Sequence, residues 1–240
     1  MKSKDERSLY FIGLGPGDPE LLTLKSVRLI KSCDVLFVPV RKQNSTRSMA
    51  LNIVNQAMDL KNKRIVFLHF PMVKGSQNML SELAPAVETI QKELLEAEIG
   101  VFITLGCSTV YSTAGNLFLA LKDKHIAMHF VPGVSSVNGV AASSGRPLVF
   151  SEEKLAILPA TYTMDQIESF MDGFETVVLM KAHSSMDAII QLIAKKGLLK
   201  TSLIVEKATT SEESIHCMAD IPSGYRPHYM STVFIKTSIK

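Results

Sequence analysis

The sequence is 240 residues long, 46% hydrophobic and 20% charged, with a formal net charge of +3. That balance excludes a disordered chain, and the length suits two domains rather than one. Basic residues are scattered apart from short clusters such as Lys61–Lys63–Arg64 and Lys195–Lys196, so the stripe that marks a nucleic-acid binder is missing, while an anionic small molecule stays compatible.

The predicted elements begin with "LYFIGLG" (9–15), an apolar run that leads into a glycine loop and then a helical pattern, "DPELLTLKSVRLIKS", with Leu21, Leu24 and Val27 on a repeating face. "DVLFVPV" (34–40), "RIVFLHF" (64–70), "GVFITLG" (100–106) and "AMHFVPG" (127–133) complete five strands. Each is nearly continuously apolar, as strands covered on both faces are. The helices "SMALNIVNQAMDLK" and "SELAPAVETIQKELLEA" lie between them, with Pro85 expected near the start of the second. This alternation predicts a mainly parallel sheet with crossover helices. After 134 the texture changes. A helix of small residues is followed by "KLAILPA", "ETVVLMK", "TSLIVEKA" and "HYMSTVFIK" as strands, and by the amphipathic helix "SMDAIIQLIAKKG" ending at Gly197. The fold class read here is α/β in two domains: 1–134 with a mainly parallel five-stranded sheet, and 135–240 with a mixed sheet.

Cys33, Cys107 and Cys217 are widely separated and form no C-x-x-C pair, so they read as free thiols of a reducing compartment. No apolar run approaches the ~18 residues that span a bilayer, and the start of the chain lacks a signal-type apolar region. A cytoplasmic protein without membrane contact is expected.

The glycines at 13, 15 and 17 raise the question of a phosphate ligand. A dinucleotide fingerprint needs a third glycine where Asp18 stands, and an acidic residue at the end of the second strand, which here reads "FVPVRK". A carboxylate at 18 would meet a pyrophosphate with like charge. No G-K-[ST] follows, so a Walker loop is absent too. Two readings stay open: a loop for a ligand without a phosphate tail, or a tight strand-to-helix turn with Asp18 as N-cap. His125 and His129 flank a strand start and no H-E-x-x-H occurs, so no metal is expected. "GVSSV" and "GCSTV" lack the closing glycine of a nucleophile elbow.

"GLGPGDPELLTLKSVRLIKSCDVLFVP" resembles the opening of the tetrapyrrole (corrin/porphyrin) methyltransferases. "GCSTVYST" stands where that family carries G-D-P-x-x-Y, and "VPGVSSVNGVAASSGRPL" is similar to its P-G-[IV]-[ST]-S segment. "VVLMKA", "LIVEKAT" and "YMSTVFIK" are similar to its C-terminal strands. "FVPVRK", "HFPM" and "LAILPAT" resemble the precorrin-2 C20-methyltransferases within it.

The resemblance implies a tetrapyrrole methylase fold that holds S-adenosylmethionine folded in a cleft between two α/β domains, releases S-adenosylhomocysteine, and acts as a homodimer in cobalamin biosynthesis. It implies cofactor contacts at Pro16, Gly106, Cys107, Ser108, Val110, Ser135, Ser136, Met180 and Ala208. Met180 and Val110 also read as plain core. The family's Asp-Pro is Cys107–Ser108 here, which favours binding through backbone N–H and C=O groups. The implied substrate is a polycarboxylate macrocycle, precorrin-2 or its cobalt-bearing relative. Its carboxylates would meet Arg41, Arg146, Lys181 and Arg226, each of which also reads as a solvated surface charge. Tyr111, His183 and Tyr229 are the candidates for accepting a proton. Two alternatives remain: a methyltransferase of the same fold acting on another corrin carbon or, like diphthine synthase, on protein; and a non-catalytic cofactor-binding module.

Overall fold

A computed structural model describes residues 7–70 and 79–237, and the chain divides into two compact units, Met1–Ser135 and Ser136–Lys240. In the first, β1 (Ser8–Gly13), β2 (Val35–Val40), β3 (Arg64–His69), β4 (Ile99–Thr104) and β5 (Ala127–Val131) form a sheet in the order β3-β2-β4-β1-β5. Every pairing in it is parallel. The central strands are buried on both faces, whereas the edge strands β3 and β5 are half-exposed.

Side chains alternate between the two faces of the sheet. Ile12, Leu36, Val38, Val101 and Ile103 pack with α1 (Leu24–Ser32) and α2 (Met49–Ala57). Leu9, Phe11, Val35, Phe37 and Phe102 pack with α3 (Met79–Glu93) and α4 (Thr113–Leu121). The helical pattern over 18–32 is broken in two. Pro19–Leu21 is a 3-10 turn, Leu22 is extended, and α1 starts afresh because the Thr23 hydroxyl accepts the Ser26 N–H at 3.1 Å. Asp18 is indeed an N-cap, but of the short turn, accepting from Glu20 N–H at 2.8 Å. Pro85 lies inside α3 rather than near its start. It faces solvent, while Leu83, Ala86, Val87 and Ile90 bury the opposite side and carry the helix through it.

The second unit holds α5 (Ser136–Ser143), β6 (Leu155–Pro159), α6 (Met164–Gly173), β7 (Thr176–Met180), α7 (Met186–Lys195), β8 (Leu203–Glu206), β9 (Ser214–Cys217) and β10 (Ser231–Lys236). Its sheet runs β6-β7-β10-β8-β9, with β6 and β7 parallel and the other pairings antiparallel. α6 and α7 cover one face and α5 the other. Sequence reading missed α6 and β9. Thr163 and Gln166 form a capping box at the start of α6, a signal that was present in the sequence. β9 is four residues long and half polar, so it carries no strand period. The link from α5 to β6 is tied to the ends of β10 and β7: Lys236 Nζ donates to Glu153 Oε2 at 2.6 Å, and Thr176 Oγ1 donates to the Leu148 carbonyl at 2.6 Å. Among the described residues no helix is long and apolar enough to cross a membrane.

Candidate ligand-binding loops

In the first sheet, β1 and β4 are neighbours whose onward connections leave in opposite directions, to β2 and to β5. Such a reversal opens a crevice at the carboxyl ends of the strands, where open α/β sheets take their ligands. Here the two loops are joined. Gly15 N–H donates to the Gly106 carbonyl at 3.2 Å, and Gly106 N–H donates to the Gly15 carbonyl at 2.8 Å. Both glycines have positive φ, +86° and +65°, a conformation that a side chain disfavours.

Three strand ends converge at this point. A Cβ on Gly13 would stand 2.6 Å from the Gly106 carbonyl oxygen, and one on Gly133 would stand 2.5 Å from it. Pro16 is buried beside the bridge. Beyond Gly106, the Cys107 Sγ and Thr109 Oγ1 lie 3.2 Å apart, and Ser108 Oγ donates to the Val131 carbonyl at 3.0 Å. Ser108 thus ties the loop to the end of β5, and its side chain is fully buried. Burial pushes the Cys107 thiol upward. Hydrogen bonds from the Thr109 hydroxyl and from the N–H groups of Thr109 and Gly133 outweigh it and hold the thiol below its ordinary value. Val110 N–H closes a turn onto the Cys107 carbonyl at 3.4 Å. Tyr111 is left-handed at φ +45° and 43% exposed. Ser112 then caps α4 and donates to Thr104 Oγ1 at 3.2 Å.

Ser135 ends the first unit and Ser136 opens α5; both are half-buried. In the second unit, Met180 closes β7, and its carbonyl accepts from Ala160 N–H at 2.7 Å. Lys181 is left-handed at φ +60° and leads into a 3-10 turn, Ala182–Ser184. Ala208 is buried just past β8, packed with Val178, Val205 and Phe234, between left-handed Lys207 (φ +48°) and Thr209 (φ +66°). Lys207 pairs with Glu212, and Thr209 N–H donates to Glu213 Oε2 at 2.6 Å. Tyr111, Lys181, Lys207 and Thr209 therefore hold left-handed backbone beside Val110, Met180 and Ala208. Such backbone costs about 1–3 kcal/mol per residue and gathers at functional sites.

The predicted cations are placed unevenly. Arg41 follows β2 and is exposed. Arg146 donates through Nη1 to the Thr201 carbonyl at 3.0 Å, a strut from the end of α5 to the start of β8. Arg226 pairs with Asp187 at 2.8 Å on the surface and holds that carboxyl below its usual value. The His183 ring packs edge-on against Tyr229, centroids 5.2 Å apart.

Sequence reading overlooked Glu206 and Gly133. Glu206 is a buried carboxylate at the end of β8 that accepts from the Tyr225 hydroxyl and the His228 N–H. Burial, reinforced by Glu206, pushes Tyr225 up to about 12. A lone acid closing an apolar strand was the available signal.

These features define an α/β protein of two units whose candidate loops are built from close-packed backbone and small residues. The sequence matches the family described as Tetrapyrrole (Corrin/Porphyrin) Methylases over residues 8–219. It is 34% identical to a probable cobalt-precorrin-2 C(20)-methyltransferase of Methanocaldococcus jannaschii, over 87% of this chain and 86% of that one. It is 30% identical to the cobalt-precorrin-2 C(20)-methyltransferase of Salmonella typhimurium over 95% of both. Two solved structures share the fold: a cobalt precorrin-4 methyltransferase (TM-score 0.71, 20% identity, 96% of this chain and 95% of that one), and a uroporphyrin-III C-methyl transferase from Thermus thermophilus in complex with S-adenosyl homocysteine (TM-score 0.69, 21% identity, 95% and 97%). The chain belongs to the tetrapyrrole (corrin/porphyrin) methylases.

Proposed function

We propose that this protein transfers one methyl group from S-adenosylmethionine to C20 of precorrin-2, with the cobalt-bearing ring preferred, in cobalamin biosynthesis. The observation that carries this reading is the pair of relatives at 34% and 30% identity, both named for that reaction on the cobalt form and both covered almost end to end.

The loops suit the cofactor. S-adenosylmethionine has no phosphate, and the Gly13–Gly106–Gly133 meeting point offers backbone rather than cations. We assign Pro16, Gly106, Cys107, Val110, Ser135 and Ser136 to it in the first loops and at the junction, and Met180 and Ala208 in the second unit. Ser108 serves it through its backbone, since its hydroxyl is engaged at Val131. S-adenosylmethionine supplies the methyl group, and its sulfonium leaves as a neutral thioether. The chain's own task is to hold the accepting carbon close and aligned, an effect worth ~7–11 kcal/mol. The Lys207–Glu212 pair and the bond from Thr209 N–H to Glu213 hold the left-handed backbone on either side of Ala208 in place for that purpose. Arg41, Arg146, Lys181 and Arg226 are the proposed partners of the substrate carboxylates, with Arg146 also holding Thr201. Tyr111 and Tyr229 are the proposed proton acceptors. The protein is read as a cytoplasmic homodimer, which light scattering at micromolar concentration tests.

The deciding experiment incubates the protein with S-adenosylmethionine and either the cobalt-bearing or the metal-free ring, followed by mass spectrometry and mapping of the new methyl. One added methyl at C20 is expected. A methyl on another carbon overturns the substrate assignment and leaves the family in place.

A further inference from the structure

His183 sits on the 3-10 turn that follows β7, at the end of the β7–β10 pair. Its Nδ1 is buried and has no hydrogen-bond partner among the described residues. Ser231, the first residue of β10, has a buried hydroxyl in the same condition. Tyr229 stands two residues before it and holds the His183 ring edge-on at 5.2 Å, with the ring planes 65° apart. Two unpaired buried polar atoms thus lie at one end of one strand pair. Such atoms are rare in folded proteins and each calls for a reason.

A neutral imidazole carries one N–H and one lone pair. A proton on Nδ1 would bury a donor without an acceptor, and orphaned buried N–H groups are rarer than under-satisfied acceptors. With the proton on Nε2 instead, Nδ1 becomes an acceptor, the kind of group a neighbouring hydroxyl or a buried water can satisfy. Nε2 is not among the buried unpaired atoms. It is the nitrogen left to meet a ligand.

We propose that His183 is held as the Nε2–H tautomer and donates that hydrogen bond to a carboxylate of the substrate, as a binding residue and not as the proton acceptor of the reaction. The substrate part of this inference rests on the function proposed above; the tautomer part does not. Nε2 already carries its proton, and a second one would have to sit on the buried Nδ1. The proton released from the methylated carbon therefore goes elsewhere, which leaves Tyr111 and Tyr229 as its candidates.

The test has two arms. The first is the nitrogen NMR spectrum of histidine-labelled full-length protein at pH 8, with His183→Gln identifying the signal. An Nε2–H pattern is expected, and an Nδ1–H pattern overturns the proposal whatever the protein methylates. The second is steady-state methylation. His183→Phe removes the donor and is expected to raise the substrate KM about tenfold, as for a hydrogen bond to a charged group, with kcat nearly unchanged. His183→Gln, which keeps an N–H, is expected to restore KM to within about twofold. A common loss of about a hundredfold or more in kcat for both variants would make His183 the proton acceptor and overturn the proposal. A wild-type protein that methylates neither ring sinks the proposed function, and the NMR arm still decides the tautomer.

Discussion

Gly15 and Gly106 exchange both backbone hydrogen bonds beyond the ends of two parallel strands, at 3.2 and 2.8 Å. The bridge is antiparallel although the strands beneath it are parallel, because each chain turns through a left-handed glycine before it crosses. It locks the loop after β1 to the loop after β4. Gly106→Ala puts a side chain on left-handed backbone at φ +65° and is expected to cost about 1–2 kcal/mol. Gly133→Ala drives a Cβ to 2.5 Å from a carbonyl oxygen. That variant is expected to lose more stability than Gly106→Ala and to bind S-adenosylmethionine far more weakly. Denaturant melts and calorimetry on both variants check the order; equal effects would show that the approach at Gly133 is not what matters.

The three thiols differ in reach. Cys107 is half-buried and held below the ordinary thiol value, whereas Cys33 is buried and raised. Iodoacetamide is expected to label Cys107 well before Cys33, and S-adenosylmethionine is expected to slow that labelling. Mass spectrometry of the modified peptides reads both. Faster labelling of Cys33 would contradict the placement of these side chains.

Cys33 also predicts an alkaline limb. Burial is the main cause of its rise from 9.0 to about 11, against the pull of Lys63. Below pH 9 the thiol is neutral in both states and its contribution is fully present. Between 9 and about 11 only the unfolded chain ionises, so stability falls as pH rises. Cys33→Ser keeps a donor for the Ile30 carbonyl, which the thiol meets at 3.2 Å. The stability difference between wild type and this variant is expected to shift against the wild type across that window, as read by denaturant melts at pH 8, 9 and 10.

Lys236 and Glu153 form a pair whose carboxylate is 3% exposed. Lys236→Met leaves that carboxylate buried without its cation and is expected to cost about 3–5 kcal/mol. Adding Glu153→Gln to it is expected to recover part of the loss. A single variant that melts like the wild type would mean that solvent reaches the pair.

Salt separates the two proposed ligands. A polycarboxylate ring held by Arg41 and Lys181 is expected to bind more weakly as ionic strength rises from 0.05 to about 0.5 M. S-adenosylmethionine, with little net charge, is expected to respond much less. Titrations of each ligand across that range decide it, and parallel losses would remove the cations from the substrate's share.

The central strands were legible because a short apolar run covered on both faces has few other fates, as in "VLFVPV" and "VFIT". The break at Leu22 was not, because Leu21, Leu24 and Val27 keep helical spacing across it and only the Thr23 cap decides where α1 begins. The glycine loop announced a close approach, but not to what. Its partners at 106 and 133 lie about ninety and one hundred and twenty residues away, a pairing that only the sheet order creates. Ser108 looked like a ligand residue by position, and its hydroxyl proves to serve the fold. The distinction between the two imidazole nitrogens of His183 depends on burial, which no spacing encodes.

β10 is the last of the described strands and lies in the middle of its sheet, between β7 and β8. A ribosome delivers residues at roughly 5–20 per second, so for about one to four seconds the growing chain carries β6–β7 and β8–β9 as two separate ribbons. Each has one open edge waiting for the same strand, and open edges recruit foreign ones. The first sheet needs nothing beyond residue 131 and escapes that wait. A message that stalls before Ser231 would therefore release a chain with one finished half and two adhesive ribbons, fit for a protease or an aggregate rather than for partial activity.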